Sequence, residues 1–315
     1  MRLLVACVCS VVVGCGGKGG AGKELAAIQG APIEVQVKAP NLIFRTNDPN
    51  EDLASDKVQE TGPHDRLISI PLAGGAVQDL GRMPMGQMAV GPNDIALVAK
   101  TDVVVIENGK PKKIGSLPGD GKSAVWIDGA IVVLTNGVSA GRDCCDLVRM
   151  SIQDGSTSQI GKLAGIGDAL TAVDGTDSFM TEESTGETIK IGHTGAITPV
   201  ATPGVGTYNC LSLTEHELWW AARKGDQIVI SAMPRAGGSV STVVEVAEKG
   251  TYCAASKSEL FYTDGNHIKA IATGGKPRNV VDTKGAPRTL AVDGTNLYWA
   301  EDTGKAWSIR TAPIK

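Results

Sequence analysis

The chain has few aromatic residues, little charge and very few histidines. Aromatic residues make up 4% of the 315 positions, charged residues make up 20%, and there are only four histidines. No stretch after residue 14 approaches the roughly 20 apolar residues that a membrane span requires, and no long helical periodicity is present. These absences exclude a helical bundle and a protein with several membrane-spanning helices.

Several sequence motifs of catalysis, and the basic charge typical of nucleic-acid binding, are also missing. The sequence contains no Gly-Xaa-Ser-Xaa-Gly elbow, no phosphate loop and no dinucleotide fingerprint. The net charge is −4 and no basic run occurs, which argues against binding to nucleic acid or to an anionic lipid surface. We therefore expect no catalytic residues, no metal and no cofactor.

What the chain does have is glycine and a repeat. Forty glycines separate short apolar segments, and one apolar position that opens a strand recurs at an average spacing of about 42 residues. Repeats of 40–45 residues with four short strands are typical of β-propeller blades. The recurring positions are Leu42, Ile95, Ile131, Ser178 (with the apolar Phe179 beside it), Leu218, Leu260 and Leu297.

Each unit has the same order of features. In the last unit an apolar strand (289–292) leads to a tight turn at Asp293-Gly294 and then to a second strand that contains 297–299. A third strand with alternating polarity ends in a pair of residues that tolerate positive φ, which predicts a two-residue primed hairpin. The pairs are Gly74-Gly75, Asn108-Gly109, Asp154-Gly155, Thr194-Gly195, Gly237-Gly238 and Gly274-Gly275.

The two ends of the chain complement each other. Residues 30–42 align without a gap on residues 285–297, so residues 23–29 take the place of an outer fourth strand. The chain stops at 313–315, where other units turn into that strand. We predict an all-β, seven-bladed β-propeller of four-stranded antiparallel blades, with six or eight blades as alternatives. The N-terminal strand completes the C-terminal blade and so covers an open sheet edge.

The N-terminus indicates export. Residues 1–14 combine one arginine with an apolar run of 3–13, and Val12-Val13-Gly14-Cys15 resembles the bacterial lipobox, in which the cysteine becomes acylated. We expect a lipoprotein signal peptide at 1–14, lipidated Cys15 within a flexible Gly-rich tether at 15–22, and one domain at 23–315. The alternative is an ordinary secretory signal. The expected location is the outer membrane, on its periplasmic or cell-surface side.

Cysteine usage agrees with an oxidising compartment. Once the signal peptide and Cys15 are set aside, an even number remains, namely Cys144, Cys145, Cys210 and Cys253. Cys210 and Cys253 lie near the start of inner strands of neighbouring blades and are candidates for one bond, which leaves a vicinal Cys144–Cys145 bond. Crossed pairing between the two sets is the alternative.

Two long excursions identify the candidate binding surface. In a propeller, the blade-to-blade connections and the loops between second and third strands share one end of the ring, which we call the loop face. The excursions at 47–65 and 136–146 both fall on this face, and loops on a rigid scaffold often carry binding residues. Solvated loops without a partner are the alternative interpretation. The candidate binding residues are Glu51, Asp52, Asp56, His64, Asp65, Arg142 and Asp143.

The repeats resemble a known family. At Leu-Tyr-Trp-Ala-Glu-Asp (297–302) and Leu-Phe-Tyr-Thr-Asp (260–264) the chain resembles the YWTD repeats of low-density-lipoprotein-receptor-type propellers. The chain also resembles lipid-anchored propellers of delta-proteobacteria and myxobacteria, in which motifs such as its Val-Asp-Gly-Thr-Asn-Leu-Tyr-Trp (292–299) and Pro-Leu-Ala-Gly-Gly (71–75) recur. The resemblance covers residues 23–315 and implies a propeller fold. Receptor propellers have six blades, whereas the repeats counted here indicate seven.

Together these observations predict a lipid-anchored, non-catalytic binding or scaffold module of the cell envelope, monomeric, with a protein or glycan partner at the loop face. The alternative is a metal-assisted, lactonase-like hydrolase or lyase with acidic residues such as Glu34, Asp168 or Asp264 in the central channel. A purely structural envelope protein is a third possibility that the sequence does not separate from the first.

Overall fold

The protein is a ring of seven sheets. The computed structural model describes residues 22–48, 64–84, 86–107, 110–136, 145–163, 169–173, 177–183, 185–201, 207–247 and 251–314. These residues form seven sheets of four antiparallel strands, so the predicted seven-bladed β-propeller is confirmed. None of the described residues belongs to a helix long and apolar enough to cross a membrane.

The strands follow the chain in blade order. Blades 1 to 3 contain β2 (Pro32–Lys38), β3 (Asn41–Asn47), β4 (His64–Pro71), β5 (Gln78–Pro84); β6 (Gln87–Val90), β7 (Ile95–Ala99), β8 (Asp102–Glu107), β9 (Lys110–Ser116); and β10 (Gly121–Ile127), β11 (Ala130–Thr135), β12 (Asp146–Ser151), β13 (Thr157–Lys162). Blades 4 to 6 contain β14 (Ala169–Val173), β15 (Ser178–Glu182), β16 (Thr188–Ile191), β17 (Ile197–Ala201); β18 (Thr207–Leu213), β19 (Glu217–Lys224), β20 (Gln227–Pro234), β21 (Ser241–Ala247); and β22 (Cys253–Ala255), β23 (Leu260–Asp264), β24 (His267–Ile271), β25 (Arg278–Asp282). Blade 7 contains β26 (Pro287–Val292), β27 (Asn296–Asp302), β28 (Trp307–Pro313) and β1 (Lys23–Ile28).

The core lies between neighbouring blades rather than at the centre of the ring. The second strand of each blade is covered on both faces, which is why β11 reads Ala-Ile-Val-Val-Leu-Thr without polar alternation and is buried along its whole length. Large aromatic side chains fill these layers, and burial of each stabilises the fold by about 1.5–3 kcal/mol. The most buried are Trp219, Trp220, Trp299, Tyr262 and Tyr298.

The ring closes through the two ends of the chain, as predicted. Strand β1 pairs antiparallel with β28, with Lys23 opposite Thr311 and Ile28 opposite Trp307. Leu25 and Ile28 are buried in the cluster between blades 7 and 1. The first strand therefore joins two blades as well as completing one.

The turns have the predicted chemistry but not the predicted length. Gly74, Gly195 and Gly237 have φ values of +84°, +86° and +95°, the region that favours glycine. Five of the six connections are nevertheless longer than two residues, as at 72–77 and 192–196. For these five the prediction of two-residue hairpins was wrong, because the third and fourth strands separate before the turn. In blade 2 the strands are two residues apart, with Glu107 paired with Lys110, as predicted. The pair at 108–109 lies outside the described residues.

The direction of β1 decides where the N-terminal segment leaves the ring. The connections from first to second and from third to fourth strands lie at one end, which we call the turn face. Lys23 pairs with Thr311 near that end, and the strand then runs towards the loop face. Gly22 precedes it, and its carbonyl accepts a 3.0 Å hydrogen bond from Arg310. Gly22 therefore lies towards the turn face.

Candidate functional site

One cavity occupies the part of the central channel nearest the turn face. It has a volume of about 770 Å³ and is lined by the C-terminal halves of the inner strands and by the turns that follow them. Concave, mainly apolar surfaces with a few placed polar groups are the usual form of a small-molecule site. The aliphatic and aromatic lining includes Val35, Val90, Val125, Trp126, Leu213, Leu290 and Val292.

A polar row on β2 interrupts this apolar wall. Gln36 Nε2 donates to Glu34 Oε1 at 2.7 Å and to the carbonyl of Met88 in blade 2 at 3.2 Å. Lys38 Nζ donates to the carbonyl of Pro92, also in blade 2, at 3.0 Å. The alternate residues Val35 and Val37 pack against the cluster shared with blade 7. Blade 1 therefore has an apolar face towards blade 7 and a polar one towards blade 2.

Glu34 is the carboxylate of the described channel wall with the most unusual environment. Burial raises its pKa above the ordinary glutamate value, although Arg45 and the donor Gln36 act in the opposite direction. A shifted carboxylate inside a cavity is a candidate for acid–base work or for ligand contact. Arg45 Nε lies 3.3 Å from Glu34 Oε2, and its NH1 lies 2.8 Å from Asp65 Oδ2.

A second polar pair lies at the channel mouth. His193, in the turn between β16 and β17, and Asp128, in the turn after β10, both line the cavity. His193 Nδ1 is 2.8 Å from Asp128 Oδ2, and both side chains are more than half exposed. This hydrogen bond joins blade 4 to blade 3 and fixes one ring nitrogen of His193.

At the opposite end, charged residues form the base of the long blade 1 excursion. Asp48 is buried and lies 3.1 Å from Arg82 Nε and 3.7 Å from Arg66 NH1. Asp65, also buried, holds Arg45 from the other side of the excursion. Paired charges satisfy each other when they are removed from water. Ion pairs thus hold the described residues that flank this excursion, Asp48 and Asp65.

The predicted binding residues fall mostly outside the described part of the chain. Asp65 lies in the ionic base of the excursion, and His64 begins β4, where only its backbone is described. Asp264 does not line the described channel cavity and instead pairs with Lys269 near the loop face. Its sequence-based placement in the channel was wrong because it ends a second strand rather than an inner one. The others, Cys15, Glu51, Asp52, Asp56, Arg142, Asp143, Cys144 and Asp168, lie outside the described residues.

The predicted bond between Cys210 and Cys253 is present. Their Cα atoms are 5.9 Å apart and join inner strands of blades 5 and 6. Cys253 lines the channel cavity, and its sulfur lies 3.4 Å from Ser212 Oγ. Cys145 is also disulfide-bonded; the vicinal pairing with Cys144 stays a prediction, since Cys144 lies outside the described residues.

Several residues of the channel were not identified from sequence. Lys38, Gln36 and Asp128 looked like ordinary strand and turn residues. A signal did exist for β2, where Glu34, Gln36 and Lys38 alternate with valines in an inner strand whose counterparts elsewhere are more apolar. For Asp128 and His193 no local signal exists, because their contact joins residues 65 positions apart.

The acidic and histidine side chains of the described residues do not converge on a metal site. Within the ranges given above, no group of three or more His, Cys, Asp or Glu residues is placed to hold a metal ion. Aspartates in the Asp-Gly turns accept hydrogen bonds from the backbone of the same turn. Asp293, for instance, accepts from the backbone nitrogens of Thr295 and Asn296 at 2.8 and 2.7 Å, which supports a turn role over a calcium loop.

Comparison with known proteins identifies the fold and no family. No protein-family model matches the chain, and no curated protein matches it. Among solved structures it is similar to Kuenenia stuttgartiensis hydrazine synthase, at 10% identity and a TM-score of 0.65 over 95% of this chain and 99% of that one. It is also similar to catalytically inactive H270A virginiamycin B lyase from Staphylococcus aureus with quinupristin, at 14% identity and a TM-score of 0.63 over 92% of this chain and 98% of that one. A third similar structure is an oligogalacturonate lyase in complex with manganese, at 10% identity and a TM-score of 0.59 over 94% of this chain and 98% of that one. At such low identity these similarities show the fold alone.

Proposed function

We propose that this protein is an exported, lipid-anchored, non-catalytic module of the cell envelope that binds a protein or glycan at its loop face. The observation that carries the proposal is the direction of β1. Because Lys23 lies towards the turn face, a lipid on Cys15 brings that face towards the membrane. The loop face, with the blade 1 and blade 3 excursions, then points away from the membrane and towards a partner.

The base of the blade 1 excursion supports this role. Its two ends are held by the buried carboxylates Asp48 and Asp65, each paired with arginine. A fixed base lowers the entropy lost when a loop binds. The propeller below it is rigid, since each blade packs on both neighbours.

Two experiments test the proposal. Mass spectrometry of the N-terminal peptide should find a diacylated Cys15, and Cys15→Ser should release the protein from membranes. For the partner, the triple variant Glu51→Gln/Asp52→Asn/Asp56→Asn, which removes three negative charges, should lose crosslinked partners in cells. The matched control Glu107→Gln/Asp154→Asn/Asp282→Asn removes the same charge elsewhere. Equal crosslinking of both triple variants would contradict a partner at the blade 1 excursion.

Glu34 favours a second candidate, a channel hydrolase or lyase. Its pKa is raised by burial, as for a general acid or base. A metal-assisted version requires ligands beyond the described residues, such as Asp168, because the described ones supply no cluster. A bound divalent ion in elemental analysis, with lactone hydrolysis abolished by Glu34→Gln, would support an enzyme. Absence of both the ion and any Glu34-dependent rate would contradict it.

A further inference from the structure

Arg288 and Trp307 stack on each other at the loop-face end of blade 7. Arg288 lies at the start of β26 and Trp307 at the start of β28, and both strands begin at the loop face. The Cζ atom of Arg288 lies over the indole ring, 5.3 Å from its centroid, where the ring face attracts a cation. Arg288 is exposed and Trp307 is half-buried. The guanidinium is therefore held in place while its side chain stays accessible to solvent.

A β-bulge in β26 turns Arg288 towards Trp307. Leu290 pairs with Trp299, and both pack in the cluster shared with blade 6. Residues two apart in a regular strand share a face, so residue 288 would face blade 6 as well. The register shifts between Arg288 and Leu290, however, and Arg288 pairs with Ala300, which packs towards blade 1. From there Arg288 reaches over the small side chain of Ala300 to Trp307 on the next strand.

The bulge uses a strained residue. Thr289, the extra residue, has a φ of +50°, and a β-branched side chain is a rare occupant of this left-handed region. Its hydroxyl donates a 2.7 Å hydrogen bond to the carbonyl of Arg288. Strained residues concentrate at functional sites, and bulges there often re-aim a side chain. The side chain that this bulge re-aims is Arg288.

Arg288 differs from most arginines of the ring in its partners. Within the described part of the chain, no carboxylate pairs with it. Arginines elsewhere have carboxylate partners, namely Arg45, Arg66, Arg82, Arg235, Arg278 and Arg310. An accessible guanidinium without an internal acid is available to an acid from outside.

The surroundings of Arg288 are positive on balance. Lys284, in the connection before β26, and Lys305, in the loop before β28, are both exposed. The accessible carboxylates nearest to them in the sequence already have donors. Asp282 lies 2.8 Å from a histidine nitrogen, and Asp302 accepts from a backbone nitrogen of its own turn at 2.7 Å. A positive surface in a protein whose net charge is −4 favours an acidic partner.

The stacked pair indicates the chemistry of that partner. A guanidinium presents parallel N–H groups that match a carboxylate, and stacking on an aromatic ring leaves this edge free. Arginine and tryptophan are also the residue types that dominate binding energy in protein interfaces. A sugar would need the indole face that Arg288 covers. These features favour a protein over a glycan.

We propose that the loop face binds an acidic segment of a protein partner, with a carboxylate of that segment held by Arg288 over Trp307. This inference rests on the proposed function, in which the loop face meets a partner, and narrows that partner to a protein with Asp or Glu at the contact.

The test measures binding of an acidic peptide to the full-length protein in detergent. By fluorescence anisotropy, fluorescein-labelled hexaglutamate should bind with a Kd on the order of 100 μM, and labelled hexaglutamine at least about ten-fold more weakly. Arg288→Gln should weaken hexaglutamate binding at least about five-fold, and Arg288→Lys, which keeps the charge but not the fork, should weaken it less. Lys110→Gln, at an exposed position of outer strand β9, removes the same charge and should bind as the wild type.

A thermal melt separates binding from a structural role. Arg288→Gln should melt close to the wild-type temperature because the side chain is exposed, and a large fall would assign Arg288 to the fold and overturn the inference. So would equal weakening by Arg288→Gln and Lys110→Gln, no saturable binding below about 1 mM, tighter binding of polygalacturonate than of hexaglutamate, or self-association that Arg288→Gln abolishes.

The same measurement separates this inference from the proposed function. Hexaglutamate binding that depends on Arg288 would support the inference even if no partner crosslinks to the wild type in cells, an outcome that contradicts the proposed function alone. Crosslinking in cells together with peptide binding that is insensitive to Arg288→Gln would overturn the inference and leave the proposed function in place.

Discussion

Ser308 donates a 2.6 Å hydrogen bond to Glu24, a residue 284 positions earlier in the sequence. The contact lies between β28 and β1 in blade 7, at the point where the ring closes. The same pairing directs the N-terminal segment towards the turn face. One pairing of distant residues thus completes the fold and places the start of β1 near the turn face.

The closing strand should be essential to stability. Ile28 is 4% exposed in the cluster between blades 7 and 1, so Ile28→Ala should lower the free energy of unfolding by about 2–4 kcal/mol through lost burial and a cavity. Urea denaturation measures this. Ile33→Ala, at a position 43% exposed, is the matched control and should change it by less than about 0.5 kcal/mol. Similar losses in both variants would mean that β1 does not contribute to the core.

The Cys210–Cys253 bond should stabilise the joint between blades 5 and 6. It closes a loop with a sequence separation of 43, and removal of such a bond costs about 2–4 kcal/mol. Cys210→Ser/Cys253→Ser should unfold at lower urea than the wild type under oxidising conditions. Reductant should then lower the urea midpoint of the wild type to near that of the variant, apart from any change caused by reduction of the disulfide at Cys145. If the double variant and the wild type unfold alike without reductant, this bond does not stabilise the ring.

Asp293 should make the last blade sensitive to acid. Burial opposes its ionised form, but donors from Tyr298, Thr295 and Asn296 lower the pKa of Asp293 to about 2, from 3.8. Its contribution to stability is therefore present above pH 3.8 and is lost as the pH falls through about 2. Asp293→Asn should reduce stability by roughly 1–2 kcal/mol at pH 7 and by less at pH 2.

Urea melts at both pH values test this, with Asp226→Asn as the control for an exposed turn aspartate. Tyr298→Phe removes the 2.6 Å hydrogen bond to Asp293 Oδ2 and should cost about 1 kcal/mol. A loss in Asp293→Asn that is the same at pH 2 and pH 7 would exclude the ionised carboxylate as the cause.

Glu34 should have the opposite pH dependence. Its pKa is raised by burial, so its contribution to stability is present below the unfolded value of 4.5 and is lost as the pH rises through the folded value. At pH 7 the ionised side chain is retained at a cost. Glu34→Gln should therefore raise the melting temperature by about 2 °C at pH 7 and have little effect at pH 4.

In this variant Arg45 still has a carboxylate partner, because its 2.8 Å contact with Asp65 does not involve Glu34. Glu107→Gln, an exposed glutamate on β8, serves as the control and should leave the melting temperature unchanged. A lower melting temperature for Glu34→Gln at pH 7 would mean that the Glu34–Arg45 pair stabilises the fold more than desolvation opposes it.

Local sequence patterns predict much of the architecture. The spacing of Leu218, Leu260 and Leu297 predicts the second strands, and Gly74 or Gly237 marks the turns, because a turn needs positive φ wherever it is placed. The alignment of 30–42 on 285–297 predicts the closure, since the same pattern occupies the same place in each blade. Turn length was mispredicted in every blade with a predicted hairpin except blade 2, because it depends on how far two strands stay paired.

The sequence by itself determined the blade repeat and the ring closure, since each follows from a pattern repeated along the chain. It offered Cys210–Cys253 as a candidate bond, and the structure decided between that bond and crossed pairing. Only the tertiary structure placed Asp128 beside His193 and removed Asp264 from the channel. Those features depend on which faces of different blades meet, and such contacts join residues too far apart in sequence for local spacing to encode.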